Sequence, residues 1–436
     1  MFYYFCIVIV ALNNPEEFKQ KAIAWANSFD VACCLNSNNF TDKYGKFEAL
    51  IAAGIKGELT ANAGNAFEQL THFRQKHPGW ITGFFGYNLK NEVENLSSAN
   101  HDGLNFPDMY FFAPQHIIII KGNEAEVISD DANSVLKSIE QASIHLTDQP
   151  VSAHIKTRFS KDEYLQTANR IKQHIARGDI YVTNFCQEFY AEDALIDPLS
   201  IYSKLNNISP NPFSSYFKLK DKYMTCASPE RFMAKRGDKL ISQPIKGTAK
   251  RSDNPTEDEA NKALLRSQIK ELQENVMIVD LVRNDLTRSA KQGTVKTEEL
   301  FGLYSFKQVH QMISTVVCEK DKTISNVQAI KNTFPMGSMT GAPKLSAMQL
   351  MEQYERSKRG VYSGAIGYFS ADGDFDFNVV IRTLLYNATN KYLSFQTGSA
   401  ITFNADAEQE YEECLLKAKA ILEALSQLLT DLPPER

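Results

Sequence analysis

Cysteine is scarce in this chain, seven in 436 residues: Cys6, Cys33, Cys34, Cys186, Cys226, Cys318 and Cys414. They are odd in number and scattered, with no C-x-x-C spacing, which excludes a disulfide framework and fits the reduced thiols of a cytoplasmic protein. Glycine and proline are sparse too, 21 and 15, so collagen-like and disordered classes are out. Excess positive charge is also missing. Lys and Arg number 47 against 52 Asp and Glu, a net charge of −5, so no field draws the chain to nucleic acid or to an acidic membrane. The one strongly apolar run, Phe2 to Leu12, has no basic flank and is short of the ~20 residues that span a bilayer. Its aromatic and β-branched residues predict a buried first strand instead. Neither a Walker A ending nor a G-x-S-x-G elbow is present.

What is there is an ordinary globular composition, long enough for two or three domains. Up to about residue 130, strand-like runs such as Trp80 to Tyr87 and Met109 to Ala113 alternate with helical ones. His116 to Ser129 reads as a hairpin turning at Gly122-Asn123. Polar residues then thicken, which places a boundary near 145 and gives regions 1–145 and 146–436. In the second region, Ser160 to Glu163 is a capping box before a helix that stops at Gly178. Thr256 to Glu259 reads as another, opening one long helix with the stripe Leu265, Ile269, Leu272, Val276 and Val279. Pro343 sits in the first turn of a helix running to about Lys358, and a last helix covers Ala407 to Leu428. Strand-like segments lie at Tyr223 to Ser228, Gly364 to Phe369, Asn378 to Tyr386 and Tyr392 to Thr397. Strands and helices do not alternate strictly, so an α+β fold with large antiparallel sheets is expected.

Five places carry chemistry. Pro244 to Arg251 (PIKGTAKR) is a solvated basic loop or a nucleophilic amine at Lys246. The second needs the amine uncharged, through burial or neighbouring cations such as Lys250 and Arg251, and Gly247 lets backbone approach a ligand. Glu274 lies opposite the helical stripe. It is either a surface glutamate paired with Lys270 or a carboxylate at the edge of a buried stretch, where it needs a partner or a metal. Glu413, with Lys417 at i+4, reads as an exposed ion pair or as a second metal-binding carboxylate. Carboxylates without a His/Cys cluster suit Mg²⁺. Phe334 to Lys344 (FPMGSMTGAPK) is a loop-to-helix turn or an anion-binding one, and Arg382, inside an apolar run, calls for a carboxylate or phosphate opposite it.

Together, GDIYVTNFCQEF (178–189), SPERF (228–232), PIKGT (244–248), ENVMIVDLVRNDL (274–286), VHQMISTV (309–316), FPMGSMTGAPKLSAM (334–348), SGAIGYF (363–369), VVIRTL (379–384) and EYEECLLKAKAIL (410–422) resemble the chorismate-utilising enzymes. The resemblance runs from about Phe159 to Leu425. It implies the chorismate-binding fold of that family, two large, mainly antiparallel sheets packed face to face with helices outside. It further implies Mg²⁺ held by Glu274 and Glu413 on the ring carboxylate of chorismate. Arg382, Tyr362 and amides around Gly398 would hold the enolpyruvyl carboxylate. His310 and Ser338 would border the ring, with Gly247, Thr248 and Lys417 among the other substrate contacts. Glu230 would be the general acid. The residue inside PIxGT separates branches. Members forming anthranilate usually carry alanine there, whereas those forming aminodeoxychorismate carry lysine, as at Lys246, which attacks ring carbon C2 before ammonia adds at C4. This chain has no glutaminase elbow, so the resemblance implies a separate glutamine amidotransferase subunit as the ammonia source. Anthranilate synthase component I, an isochorismate or salicylate synthase, and a non-catalytic amidotransferase-binding subunit are the rival readings. CLNSN (34–38) stands where a tryptophan-responsive element would lie, and tryptophan feedback is not expected.

Overall fold

The computed structural model describes residues 6–144 and 151–426. Every ladder among its named strands is antiparallel, and the long strand Met109–Lys121 joins two sheets. From its Ala49–Ala61 neighbour the first sheet continues through Val31–Asn36, Phe213–Leu219, Lys222–Ser228, Thr383–Asn387, Tyr392–Thr402 and Val182–Ala191. From Ile81–Phe85 the second continues through Ala365–Phe369, Phe375–Asn378, Arg231–Arg236, Lys239–Gln243 and Val309–Glu319. The sheets face each other across one aromatic core. Phe84 of the second sheet meets Phe217 of the first edge-to-face at 5.6 Å, and Asn378 donates to the Phe213 carbonyl at 3.0 Å. This is the expected α+β architecture. Strands from residues before 145 pair with strands from beyond it, Val31–Asn36 with Phe213–Leu219 and Ile81–Phe85 with Ala365–Phe369.

The helices on the outside follow their caps. Ser160 and Glu163 form the reciprocal capping box, and Gly178 ends that helix in the left-handed conformation (φ 85°). The 116–129 hairpin turns at Gly122-Asn123 as expected, with Lys121 opposite Glu124. The C-terminal helix, Ala407–Ala424, buries Tyr411, Leu415, Ala418 and Leu422, with Leu425 buried just beyond it.

Four expectations are corrected. The first strand, Cys6–Ala11, is a sheet edge paired only with Glu124–Ser129, and its outward Ile7 and Ile9 are 56% and 64% exposed; residues 2–5 lie outside the described residues. The long helix is two, Pro255–Ser267 and Ile269–Thr287, broken where Gln268 takes an extended ψ of 111°. Its first cap is Asn254 with Pro255 at N1, not Thr256, because the Asn254 side-chain oxygen Oδ1 accepts from the amides of both Thr256 and Glu257. In the second helix the buried face is Asn275, Ile278, Val279, Val282, Asp285 and Leu286, while Ile269 and Val276 are exposed. The helix after Pro343 ends at Tyr354 rather than near Lys358. The run Asn378 to Tyr386 is not one strand, because residues 379–382 leave the second sheet at Asn378 and cross to the first, where Thr383–Asn387 begins.

Cys33, Cys34, Cys186, Cys226, Cys318 and Cys414 are all unpaired and buried. Among the described residues no helix is long and apolar enough to cross a membrane.

Candidate active site

Lys246 lies on the strand Ile245–Lys250, at the edge of the second sheet. Ile245 faces Ile313 and Thr248 faces Gln311, so the register slips between them. Gly247 takes up the slip at φ 98°; a Cβ there would press on Met312 at 3.2 Å and on Glu271 Oε2 at 3.3 Å. Helix Ile269–Thr287 is tied to this bulge by Asn275. Its side-chain amide donates to the Lys246 carbonyl at 3.2 Å and the Met312 carbonyl at 3.4 Å, and its oxygen accepts from Ser314 Oγ at 2.6 Å. The half-buried Lys246 lines a cavity with Glu274, Ser338, Thr340 and Ala400. Thr248 is exposed. Arg251 is not a spare cation beside the amine, because its guanidinium is taken by Asp258 and the Phe306 carbonyl.

Glu230 sits between the strands Lys222–Ser228 and Arg231–Arg236, where its amide donates to Ser228 Oγ. Its side chain is buried. Burial raises its pKa to about 7, while the Ser338 hydroxyl, the Lys246 and Lys417 charges and the Ile245 amide pull the other way. Ser338 Oγ, itself buried, has no hydrogen-bond partner within bonding geometry among the described residues. Gly337 and Ser338 form the wall between the Lys246 cavity and a second one that contains Glu230. The helix start beyond this loop is not a spare anion site for its lysine. Lys344 is held by Asp285 at 2.6 Å and the Pro335 carbonyl at 2.9 Å.

Carboxylates gather around Glu274, and sequence reading found only half of them. Glu271 and Glu274 on one helix, and Glu410 and Glu413 on the C-terminal helix, act on one another. Burial and the neighbouring Glu274 and Glu413 charges push Glu271 and Glu410 upward. Burial also pushes on Glu413, but Lys417, Lys246 and Lys270 hold it below its usual range. Its side chain keeps 44% exposure while Glu274 keeps 11%, so Glu413 marks the rim of the cleft and Glu274 its wall. Lys270 stands 3.3 Å from Glu410 and 4.0 Å from Glu274, and Lys417 is 2.6 Å from Glu413 and 2.7 Å from the Gly398 carbonyl. Among the described residues no three metal-ligating side chains form a ready cage; ammonium groups stand among the carboxylates instead. Hard oxygen donors that repel one another are what a Mg²⁺ ion neutralises, so the donor set fits that ion. The missed pair had a signal: 271/274 and 410/413 repeat a spacing of three, which shares a helix face.

Arg382 has a left-handed backbone (φ 50°). Its guanidinium forms no ion pair among the described contacts. Burial depresses its pKa, with Glu413 the one charge acting to offset that. Tyr362 is buried with its hydroxyl 3.9 Å from Cys186 Sγ. Gly398 faces Cys186 across the first sheet, and a Cβ there would lie 2.6 Å from Asn184 Nδ2. The segment 397–402 is regular strand, partnered on one side only by Val182–Ala191. His310 is buried, and both of its ring nitrogens are engaged, by Ser305 Oγ at 2.8 Å and Asp258 Oδ1 at 3.0 Å; it is not among the residues lining the two cavities.

The chain is similar to known proteins. The family of chorismate binding enzymes matches residues 32–423. Aminodeoxychorismate synthase component 1 of Bacillus subtilis is 32% identical over 80% of this chain and 77% of its own length. Anthranilate synthase component 1 of Cereibacter sphaeroides is 31% identical over 79% and 73%. A probable chloroplastic aminodeoxychorismate synthase of rice is 34% identical over 80% of this chain, which spans only 44% of that longer protein. Among solved structures, anthranilate synthase component I of Streptococcus pneumoniae superposes with a TM-score of 0.77 at 24% identity, covering 88% of this chain and 95% of its own. The menaquinone-specific isochorismate synthase of Escherichia coli gives 0.76 at 17%, covering 97% and 95%. A lysine and a buried glutamate on either side of one loop, near a cluster of four further glutamates, thus sit in a chain that belongs to the chorismate-binding enzymes.

Proposed function

We propose that this enzyme converts chorismate and ammonia to 4-amino-4-deoxychorismate, with Lys246 as the covalent nucleophile, Glu230 as acid and then base, and a separate glutamine amidotransferase chain as the ammonia source. The observation that carries the reading is Lys246 itself, half-buried in a cavity beside a glutamate poised near neutrality.

The two groups share one proton usefully. The pair Lys-NH₃⁺/Glu-COO⁻ and the pair Lys-NH₂/Glu-COOH hold the same number of protons, so one proton moved from the amine to the carboxylate leaves both uncharged. That uncharged pair is what the reaction needs. The lysine nitrogen bonds to C2 as the C4–O bond breaks, and the hydroxyl departs as water with the proton of Glu230. Ammonia then bonds to C4, the C2–N bond breaks to free the neutral lysine, and Glu230 takes back the proton that the new ammonium sheds. Chorismate and ammonia become product and one water.

Mg²⁺ bound among Glu271, Glu274, Glu410 and Glu413 would neutralise the ring carboxylate of the substrate. Arg382, without an ion pair of its own, suits the second carboxylate, beside Tyr362 and the one-sided strand edge around Gly398. The unpartnered Ser338 hydroxyl supplies a polar contact at the ring. His310, with both nitrogens held and outside the cavity lining, acts only from the strand beside Lys246, and Gly247 and Thr248 set the bulge that carries the lysine. Lys417 holds Glu413 and the Gly398 carbonyl together. Purified protein with chorismate, Mg²⁺ and ammonium tests the reading: aminodeoxychorismate is expected, whereas fluorescent anthranilate appearing directly, or turnover without ammonia, assigns the chain to a rival branch.

A further inference from the structure

Asp258 has no part in the reaction above, yet it gathers more donors than any catalytic carboxylate. Its Oδ1 accepts from Arg251 Nε at 2.8 Å, the Ser252 amide at 2.9 Å and His310 Nε2 at 3.0 Å, and its Oδ2 is 3.0 Å from the same Arg251 Nε. The other imidazole nitrogen meets Ser305 Oγ at 2.8 Å. With a carboxylate on Nε2, that nitrogen carries the hydrogen, so in the neutral ring Nδ1 accepts from the serine. Asp258 lies in the first turn of helix Pro255–Ser267, which crosses the lysine strand. Leu265 of this helix fills the space beside Gly247, and Asn261 donates to the Lys250 carbonyl at 3.2 Å. His310 lies on the neighbouring strand directly opposite Ala249, and Arg251 ends the lysine strand, its guanidinium donating to the Phe306 carbonyl at 2.8 Å. One carboxylate therefore holds a helix, the end of the Lys246 strand and the strand beside it.

We propose that Asp258 is a positioning residue: acting through Arg251 and His310, it pins helix Pro255–Ser267 over the bulged strand and so fixes the direction in which Lys246 points. The part of this that concerns turnover rests on the proposed lysine chemistry; the pin itself does not. A chain of hydrogen bonds, rather than charge alone, is the working element, since three of the four contacts converge on a single oxygen that an asparagine would retain.

The test compares Asp258→Ala and Asp258→Asn in the full chain. In Asp258→Ala, amide hydrogen exchange across 245–250 is expected to speed up at least about tenfold, the loss of one or more buried hydrogen bonds, with exchange in helix Ala407–Ala424 unchanged. kcat is expected to fall at least about tenfold while KM for chorismate stays within about threefold, because the carboxylate-holding groups are untouched. Asp258→Asn should recover most of both, and Asp258→Ala combined with His310→Ala should be no worse than the poorer single variant. Unchanged exchange at 245–250, a loss confined to KM, or an asparagine variant as poor as alanine overturns the pin. Wild-type protein that shows no chorismate turnover, but the expected exchange pattern, overturns the functional reading and leaves the pin standing.

Discussion

Glu230 and Lys246 occupy two adjoining cavities divided by Gly337 and Ser338, close enough that the lysine charge works against the burial that lifts Glu230 to about 7. The proton of Glu230 is therefore held by burial against the pull of the neighbouring lysine.

The pH dependence follows with a definite sign. Glu230 gives its proton to the departing hydroxyl, so it must be protonated in the free enzyme, and burial keeps it so up to about pH 7. kcat/KM, which reports the free enzyme, should therefore fall as pH increases through about 7. Glu230→Gln should abolish that fall and lower kcat by about 10²–10⁴, the usual worth of a positioned acid.

The same substitution separates stability from activity. Glu230 binds its proton more tightly folded than unfolded, so between the ordinary carboxyl range and pH 7 the native state holds the extra proton and stability falls as pH rises. From 4.5 to about 7 this amounts to about 3 kcal/mol. Glu230→Gln should raise Tm at pH 8 and not at pH 4, as thermal unfolding at the two values would show; a variant less stable at pH 8 contradicts the buried-carboxylate account.

Arg382 is expected to matter for binding more than for chemistry. Removing one partner of a buried charge pair costs about 2–5 kcal/mol, so Arg382→Ala should raise KM for chorismate about thirtyfold or more. A variant with unchanged KM places the enolpyruvyl carboxylate elsewhere.

Chelation with EDTA should stop turnover and added Mg²⁺ should restore it. Because Glu271 and Glu410 titrate above the ordinary carboxylate range, protons compete with the ion, and the Mg²⁺ needed for half-activity should climb as pH falls. Glu271→Gln and Glu410→Gln should raise it at neutral pH; if they do not, only Glu274 and Glu413 face the ion.

Much of this was legible in the sequence because local rules set it. The Ser160–Glu163 box, the Gly122-Asn123 turn and the Tyr411 to Leu422 stripe are decided within one or two helical turns or a single hairpin. What was not legible depends on partners far along the chain. The break at Gln268 separates a helix that buries only Leu265 from one that buries Asn275, Ile278, Val279, Val282, Asp285 and Leu286, so one stripe could not describe both. The strand signal of residues 379–382 is overridden as the chain turns Arg382 toward the cleft at positive φ. Glu410 finds its partner Lys270 on another helix, and Asp258 gave no sign of His310, 52 residues away.

The most direct measurement is intact-protein mass spectrometry after brief incubation with chorismate and Mg²⁺, ammonia withheld. The account predicts a species heavier by chorismate less one water, mapped by peptide analysis to Lys246 and absent from Lys246→Ala. Protein that stays unmodified, or a Lys246→Ala variant forming aminodeoxychorismate at the full rate once ammonia is added, contradicts it.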